Sequence, residues 1–262
     1  MKSPPIFFLF RIDLFEVLSD NKIMPALPHQ SILISDTVRA KQTLLKAQSF
    51  ANLPGDVFDS LIRLMSPCQF NAGHVICLEG EPGEKVYILE KGWVKAVRTA
   101  VDGREQATMF LHDGELFGDE AVFSDAPYPV TVIALENITA WAIEGSALCK
   151  LVQYHPALAM AVIRHLGQRV MYFIQLVEDL GLRNVQARVA HTLLVHAELK
   201  DGQLIVPRQA WTTLDEMATR LGTVRDVLSR TINTLEADGI LRMERTQIII
   251  LDPQKLLERG RV

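Results

Sequence analysis

Between about Phe70 and Ile143 the chain alternates short apolar runs with turn residues. Runs such as Val86-Tyr87-Ile88-Leu89 and residues 106–111 fall between Gly73, Gly80, Gly83, Gly92, Gly103 and Gly114. That rhythm predicts many short antiparallel strands. Tyr128 to Leu135 and Ile138 to Ile143 form two more β-rich runs, and Glu136-Asn137 between them predicts a tight hairpin. A small barrel or roll is the expected architecture.

After Pro156 the period changes. Ile163, Leu166, Val170, Phe173, Val177 and Leu180 are spaced alternately by three and four residues, which predicts one long helix with an a/d seam over almost three heptads. Such a seam serves either to cover the roll or to meet a partner helix. Leu158, Val162, Ile174 and Leu176 widen the apolar stripe, so the helix is expected to do both and to form a dimer. Gly181 is expected to break this helix and Asn184 to cap the next, in which Val185, Val189, Leu193 and His196 share a face. Leu180 to Asn184 is then a candidate hinge.

The most informative segment is Thr212 to Asp252. Thr213-Leu-Asp-Glu216 has the form of a capping box, in which the hydroxyl accepts from the first turn and Glu216 reaches back to the cap residue. Leu214, Met217, Ala218 and Leu221 give that helix an apolar face, and Gly222 stops it. Thr223 is expected to cap a second helix, with Asp226 three positions on and Val227, Leu228, Ile232 and Leu235 as its buried stripe. The opposite face carries Arg225, Asp226, Ser229, Arg230 and Asn233. A guanidinium fork matches guanine O6 and N7, and a carboxylate accepts from cytosine N4, so this face suits the DNA major groove. After Asp238-Gly239, Ile240 to Met243 and Gln247 to Leu251 predict a β-hairpin, or wing, whose Arg242 and Arg245 are placed to touch phosphate.

Composition qualifies this picture. The chain has 262 residues, 48% of them apolar, and a formal net charge of -4. It is long enough for a sizeable core, and contact with nucleic acid must come from a local patch, because the whole molecule is mildly repelled by phosphate. From Val206 onward the basic and acidic residues nearly balance. Cys68, Cys77 and Cys149 lie far apart with no CxxC pairing, which implies neither a disulfide framework nor a zinc site and fits a reducing cytoplasm. Ile6 to Phe10 is apolar, but Arg11, Asp13 and Glu16 follow at once, so neither a signal peptide nor a membrane span is expected. No GxSxG elbow, HExxH helix or P-loop occurs, and no enzymatic activity is expected.

Taken together, the residues resemble the CRP/FNR transcription regulators. The likeness runs from about Leu44 to Leu257. It rests on Gly80-Glu-Pro-Gly83, Val86-Tyr-Ile-Leu-Glu-Lys-Gly92 and Gly114-Glu-Leu-Phe-Gly-Asp119 in the roll. In the last third it rests on Asp215-Glu-Met-Ala218, Leu221-Gly222, Arg225-Asp-Val-Leu-Ser-Arg230 and Leu235-Glu-Ala-Asp-Gly-Ile240. The resemblance implies an α+β chain: an N-terminal extension over 1–40, a jelly-roll-like sensory β-roll over 41–155, a dimerisation helix and hinge over 156–183, and a winged helix-turn-helix over 184–262. It further implies a homodimer on palindromic double-stranded promoter DNA, with RNA polymerase as a further partner. The implied DNA-binding set is Arg225, Asp226, Ser229 and Arg230, with Thr213 and Thr223 at the helix starts and Arg242 and Arg245 in the wing. Family recognition helices commonly read Arg-Glu-Thr-Val-Ser-Arg; this chain departs at Asp226, one methylene shorter, and at Val224, where Ser or Thr often contacts phosphate.

For the roll, the resemblance places the effector pocket at Gly118, Asp119, Val130, Phe173 and Ile174. Relatives that bind cyclic AMP hold its phosphate with an Arg-Ser pair, and those places fall near Pro129 and Val130 here, with no Arg between Arg104 and Arg164. The Thr-Ser pair that meets the purine aligns with Phe173 and Ile174, so cyclic AMP is not the expected effector. Iron-sulfur sensors of the family need four cysteines and this chain has three, which argues against a cluster. His74 and His112 leave haem open, although loop positions are the simpler reading, and the effector itself is not identified.

Overall fold

The computed structural model describes residues 34–261. The roll begins with two helices, α1 (Ile34–Lys46) and α2 (Gly55–Leu64). Ala40 and Leu44 of α1 are buried, so the helix runs across the boundary expected at residue 40 and its second half belongs to the roll. The expected N-terminal tail otherwise lies outside the described residues. Eight short strands follow: β1 (Ser66–Phe70), β2 (Val75–Cys77), β3 (Lys85–Lys91), β4 (Val94–Thr99), β5 (Glu105–Leu111), β6 (Leu116–Phe117), β7 (Thr131–Ala134) and β8 (Ile138–Glu144), with α3 (Asp119–Ser124) between β6 and β7.

These strands form two four-stranded antiparallel sheets, in the orders β1-β8-β3-β6 and β2-β7-β4-β5. The roll is therefore as expected, with one difference. Glu136-Asn137 does not close a hairpin, because β7 pairs with β2 and β4 while β8 pairs with β1 and β3. The chain crosses from one sheet to the other there, a choice set by which face each strand buries and not by the turn residues. One apolar cluster fills the space between the sheets, including Leu89, Met109, Phe117 and Val132. A second, built around Trp141, lies under α1, α2 and the helix α4 (Gly145–Tyr154).

The long helix α5 (Pro156–Leu182) starts with Pro at its first position, where the missing N–H costs nothing. It runs through Gly181 and ends at Leu182; one glycine near a helix end weakens but does not stop it. The next helix, α6 (Val185–Val195), is capped as expected, with Asn184 Oδ1 accepting from the Ala187 N–H at 2.9 Å.

Beyond it come β9 (Glu198–Lys200), β10 (Gln203–Pro207), α7 (Leu214–Leu221), α8 (Arg225–Ala237), β11 (Leu241–Met243), β12 (Gln247–Ile250) and α9 (Pro253–Arg259). The expected wing, β11 with β12, is present but is half of a four-stranded sheet ordered β11-β12-β10-β9. Val189, Leu193, Leu221, Leu228, Ile232, Leu235, Ile240 and Ile248 make one core beneath the helices and the wing. Among the described residues no single helix is long and apolar enough to cross a membrane.

Gly118, at the turn from β6 into α3, has φ +81°, and a Cβ there would stand 2.6 Å from the Lys85 carbonyl oxygen. Gly118→Ala combines a left-handed backbone with a clash against β3 and is expected to cost about 2 kcal/mol, read as a lowered urea midpoint with unchanged m-value.

Candidate nucleic-acid interface

The reading head is built from two short helices meeting at Gly222. Its φ of +63° ends α7 in the left-handed conformation that glycine adopts without strain. The turn is also crowded: a Cβ on Gly222 would lie 2.6 Å from Leu180 Cδ2 and 2.7 Å from Gln106 Oε1. At the start of α7 the Thr213 hydroxyl accepts from the Glu216 N–H at 3.2 Å, the expected half of the capping box. The reciprocal half is absent. Glu216 turns instead to the roll, where its Oε1 accepts from Lys95 Nζ at 2.9 Å, while Lys95 also reaches Glu105 at 3.3 Å. A nearly buried ammonium on β4 is a stronger partner for the carboxylate than one backbone N–H.

Thr223 does not cap α8. Val224 is the cap residue, without a side-chain acceptor, and the Thr223 N–H donates to the Ala218 carbonyl at 3.0 Å as part of the turn. On α8, Leu228, Ile232 and Leu235 are buried, and Arg225, Asp226, Arg230 and Asn233 are exposed on the other side, with Ser229 half-buried between them. The Arg230 guanidinium is folded back, its Nε donating to the Asp226 carbonyl at 3.2 Å, and Arg225 stands 3.9 Å from Asp215. Both interactions are exposed, so either arginine can swing to another acceptor at little cost. In the wing, Arg242 pairs with Glu244 at 3.1 Å and Arg245 is exposed at the turn between β11 and β12. A cleft of about 750 Å³ separates the β4–β5 hairpin from the start of α8, with Arg98 and Arg104 on one side and Thr223, Val224 and Arg225 on the other.

The long helix does not present the expected seam on one face. Leu166 packs on the Trp141 cluster, Phe173 packs on the cluster between the sheets, and Leu180 meets Gly222. Ile163, Val170 and Val177 are 59%, 57% and 70% exposed. With Met160, Gly167, Ile174 and Gly181, all exposed, they form a second stripe that again alternates steps of three and four. Two interleaved seams share the helix, and sequence spacing merged them because both have the heptad period.

The expected effector residues are likewise divided. Val130 and Phe173 pack against the cluster between the sheets, whereas Ile174 is on the bare stripe. Asp119 is fully buried and belongs to a charged cluster that sequence reasoning missed. His165 Nε2 lies 3.2 Å from Asp119 Oδ2, close but without the alignment of a formed hydrogen bond, and Arg169 Nη2 lies 3.5 Å from Oδ1. Arg169 also donates to the Leu116 carbonyl and to Glu120. Burial pushes the Asp119 carboxyl up, but the contacts with His165 and Arg169 outweigh it and hold the group below the ordinary carboxylate range. Burial, then the Asp119 charge, pushes Glu120 the other way. The only sequence signal was the spacing of His165 and Arg169 by four on one helix face. Their acidic partners lie nearly fifty residues away, and nothing in the sequence links them.

The comparisons with known proteins fit this geometry. Residues 67–155 match the family described as "Cyclic nucleotide-binding domain", and residues 187–259 match "Crp-like helix-turn-helix domain". The "CRP-like cAMP-activated global transcriptional regulator" of Mycobacterium tuberculosis is 27% identical over 224 residues, 84% of this chain and 99% of that protein. The "Cyclic AMP receptor protein" of Thermus thermophilus is 26% identical over 171 residues, 65% of this chain and 77% of that protein. Among solved structures, FixK2 from Bradyrhizobium japonicum superposes with a TM-score of 0.66 at 21% identity, covering 76% of this chain and 98% of that one, which speaks to the fold alone.

A carboxylate held below its unfolded value contributes stability above that value and loses it as the pH falls through the folded one. Asp119→Asn is therefore expected to lower the melting temperature near neutrality and to flatten the acid limb of a melting-temperature profile, with a loss at pH 7 of about 3 kcal/mol because Arg169 is left with a poorer partner. Two families matching more than half of the chain in the expected order, with relatives that share both parts, settle the assignment: the chain belongs to the CRP/FNR family of DNA-binding transcription regulators.

Proposed function

We propose that the protein works as a homodimer that reads a palindromic promoter site with one Arg230 from each copy, and that its roll answers to an effector other than cyclic AMP. The observation that carries the reading is the division of α8: Leu228, Ile232 and Leu235 hold it to its own core while Arg225, Asp226, Ser229 and Arg230 lie along the opposite side. Arg230 serves as the guanine contact, Asp226 and Ser229 as neighbours in the groove, and Thr213, Thr223, Arg242 and Arg245 as backbone-positioning residues. The winged segment is almost neutral, so one copy offers phosphate little net attraction, and a second copy doubles the footprint. RNA polymerase is the further partner and the cytoplasm the compartment in this reading, as in a regulator acting at promoters.

The bare stripe on α5 supports dimerisation. Seven positions from Met160 to Gly181 span three heptads, and two glycines among them allow close approach of a second helix. Against cyclic AMP stand exposed Pro129 and half-buried Val130 where relatives hold the phosphate, with the nearest helix guanidinium, Arg169, already committed to Leu116 and Glu120. An anion brought there finds the Arg169 guanidinium already engaged and the Asp119 carboxylate beside it.

Arg230→Ala is expected to weaken binding to the cognate site by about 1–3 kcal/mol and to relax preference at one guanine per half-site, measured by competition between single-base variants. Equal weakening on every sequence contradicts the assignment and makes Arg230 a phosphate contact. Ile174→Asp, on the bare stripe, is expected to give a folded monomer by sedimentation that loses specific binding, because the two half-sites lie about one helical turn apart. A dimer that still forms with this aspartate places the interface elsewhere.

A further inference from the structure

Where the roll meets the winged segment, three aromatic rings from separate parts of the chain converge. Trp93, just before β4, and Phe110 on β5 face Trp211, on the approach to α7; Phe110 and Trp211 are stacked with ring centres 5.8 Å apart, and Trp93 is tilted against Trp211 at 5.4 Å. They wall a cavity of about 220 Å³ that also touches Arg208, Arg220, His196, Glu216 and Met217. The cavity is smaller than the roughly 300–1,000 Å³ of drug-sized sites, so it suits a ligand of one or two rings.

The polar groups around it are unevenly satisfied. The Trp211 indole N–H, Arg208 Nε and Glu216 Oε2 are buried without a hydrogen-bond partner. Such groups are uncommon in folded proteins and each calls for a physical reason. Two of the three are donors. The carboxylate is paired through its other oxygen with Lys95, which it shares with Glu105.

Among the described residues both arginines lack a counter-charge. The Arg208 guanidinium donates there to the Glu244 and Thr212 carbonyls, at 2.8 and 2.7 Å. Arg220 lies over the Phe110 ring at 5.3 Å, and its Nη2 donates to His196 Nε2 at 2.5 Å. His196 Nδ1 faces the Thr192 carbonyl at 2.9 Å, so the proton sits on Nδ1 and the ring is neutral. Burial, and then the Arg220 charge, draws His196 below its ordinary range, consistent with that tautomer, and burial draws Arg220 down as well. Among the described residues neither Arg208 nor Arg220 makes a salt bridge, although withdrawn guanidinium groups normally find a carboxylate.

We infer that this aromatic cavity is a binding site for a small aromatic carboxylate, its ring packed against the Trp93, Trp211 and Phe110 wall and its charge met by Arg220, Arg208 Nε and the Trp211 N–H. Flat rings satisfy the aromatic walls, and an acceptor-only anion satisfies the two orphan donors and both unpaired cations together. The site differs from the pocket at Gly118, Asp119, Val130, Phe173 and Ile174 that the family resemblance implies. Because its walls come from both the roll and the winged segment, an occupant fastens the two together.

The test is calorimetry on the full chain with benzoate and phenylacetate, and with their neutral analogues benzamide and phenylacetamide. Two of the three tryptophans line the site, so intrinsic fluorescence provides a second readout. The acids are expected to bind saturably at one per chain and to change the fluorescence, with the amides weaker by about tenfold. R220M is expected to reduce acid affinity by about tenfold while leaving the amides unchanged, and W211F to remove most of the fluorescence response. No saturable binding of either acid, equal affinity for acid and amide, or an R220M variant that binds acids as well as the wild type each overturns the proposal. Should R220M fail to fold, the acid-against-amide comparison on the wild-type chain decides alone.

Discussion

The architecture depends on one helix having to satisfy two apolar faces with the same repeat. On α5, Leu158, Ala161, Val162, Leu166 and Phe173 are consumed by the roll, and Arg169 is anchored beneath it by Leu116, Glu120 and Asp119. That fixes the rotation of the helix about its axis. Once it is fixed, the stripe from Met160 to Val177 has no partner among the described residues and leaves a run of bare apolar surface of the kind that marks an interaction site. The reading head hangs from the far end of the same helix, through Leu180 against Gly222.

The connection between the roll and the reading head is mostly polar at its edge and aromatic at its centre. Lys95 holds Glu216, and Gln106 Nε2 donates to the Thr219 carbonyl at 3.3 Å. At the hinge Arg188 donates to the carbonyls of Arg183 and Gly222, at 2.9 and 3.2 Å. Such contacts are directional and individually modest, so they set an orientation without locking it as a shared apolar core would. The glutamate that the local motif assigned to a helix cap thus serves a contact between two parts of the molecule. Local and tertiary demands compete for one carboxylate, and the nearly buried ammonium wins.

The sequence by itself determined what depends on neighbours within about ten residues. Glycine rhythm and β-rich runs announced the roll, Asn184 and Thr213 announced their caps, and Gly222 announced the turn between α7 and α8. The division of α8 into a buried and a polar side was legible for the same reason, because a 3.6-residue period assigns both faces at once. Tertiary structure alone decided which of two heptad-spaced stripes on α5 faces inward, that Glu136-Asn137 joins two sheets, and that Asp119 meets His165 and Arg169. It also brought Trp93, Phe110, Trp211 and Arg220 to one cavity. These outcomes depend on which surfaces the fold has already buried and on charges meeting across long stretches of chain. Periodicity records that a residue is apolar or charged; only packing assigns its partner.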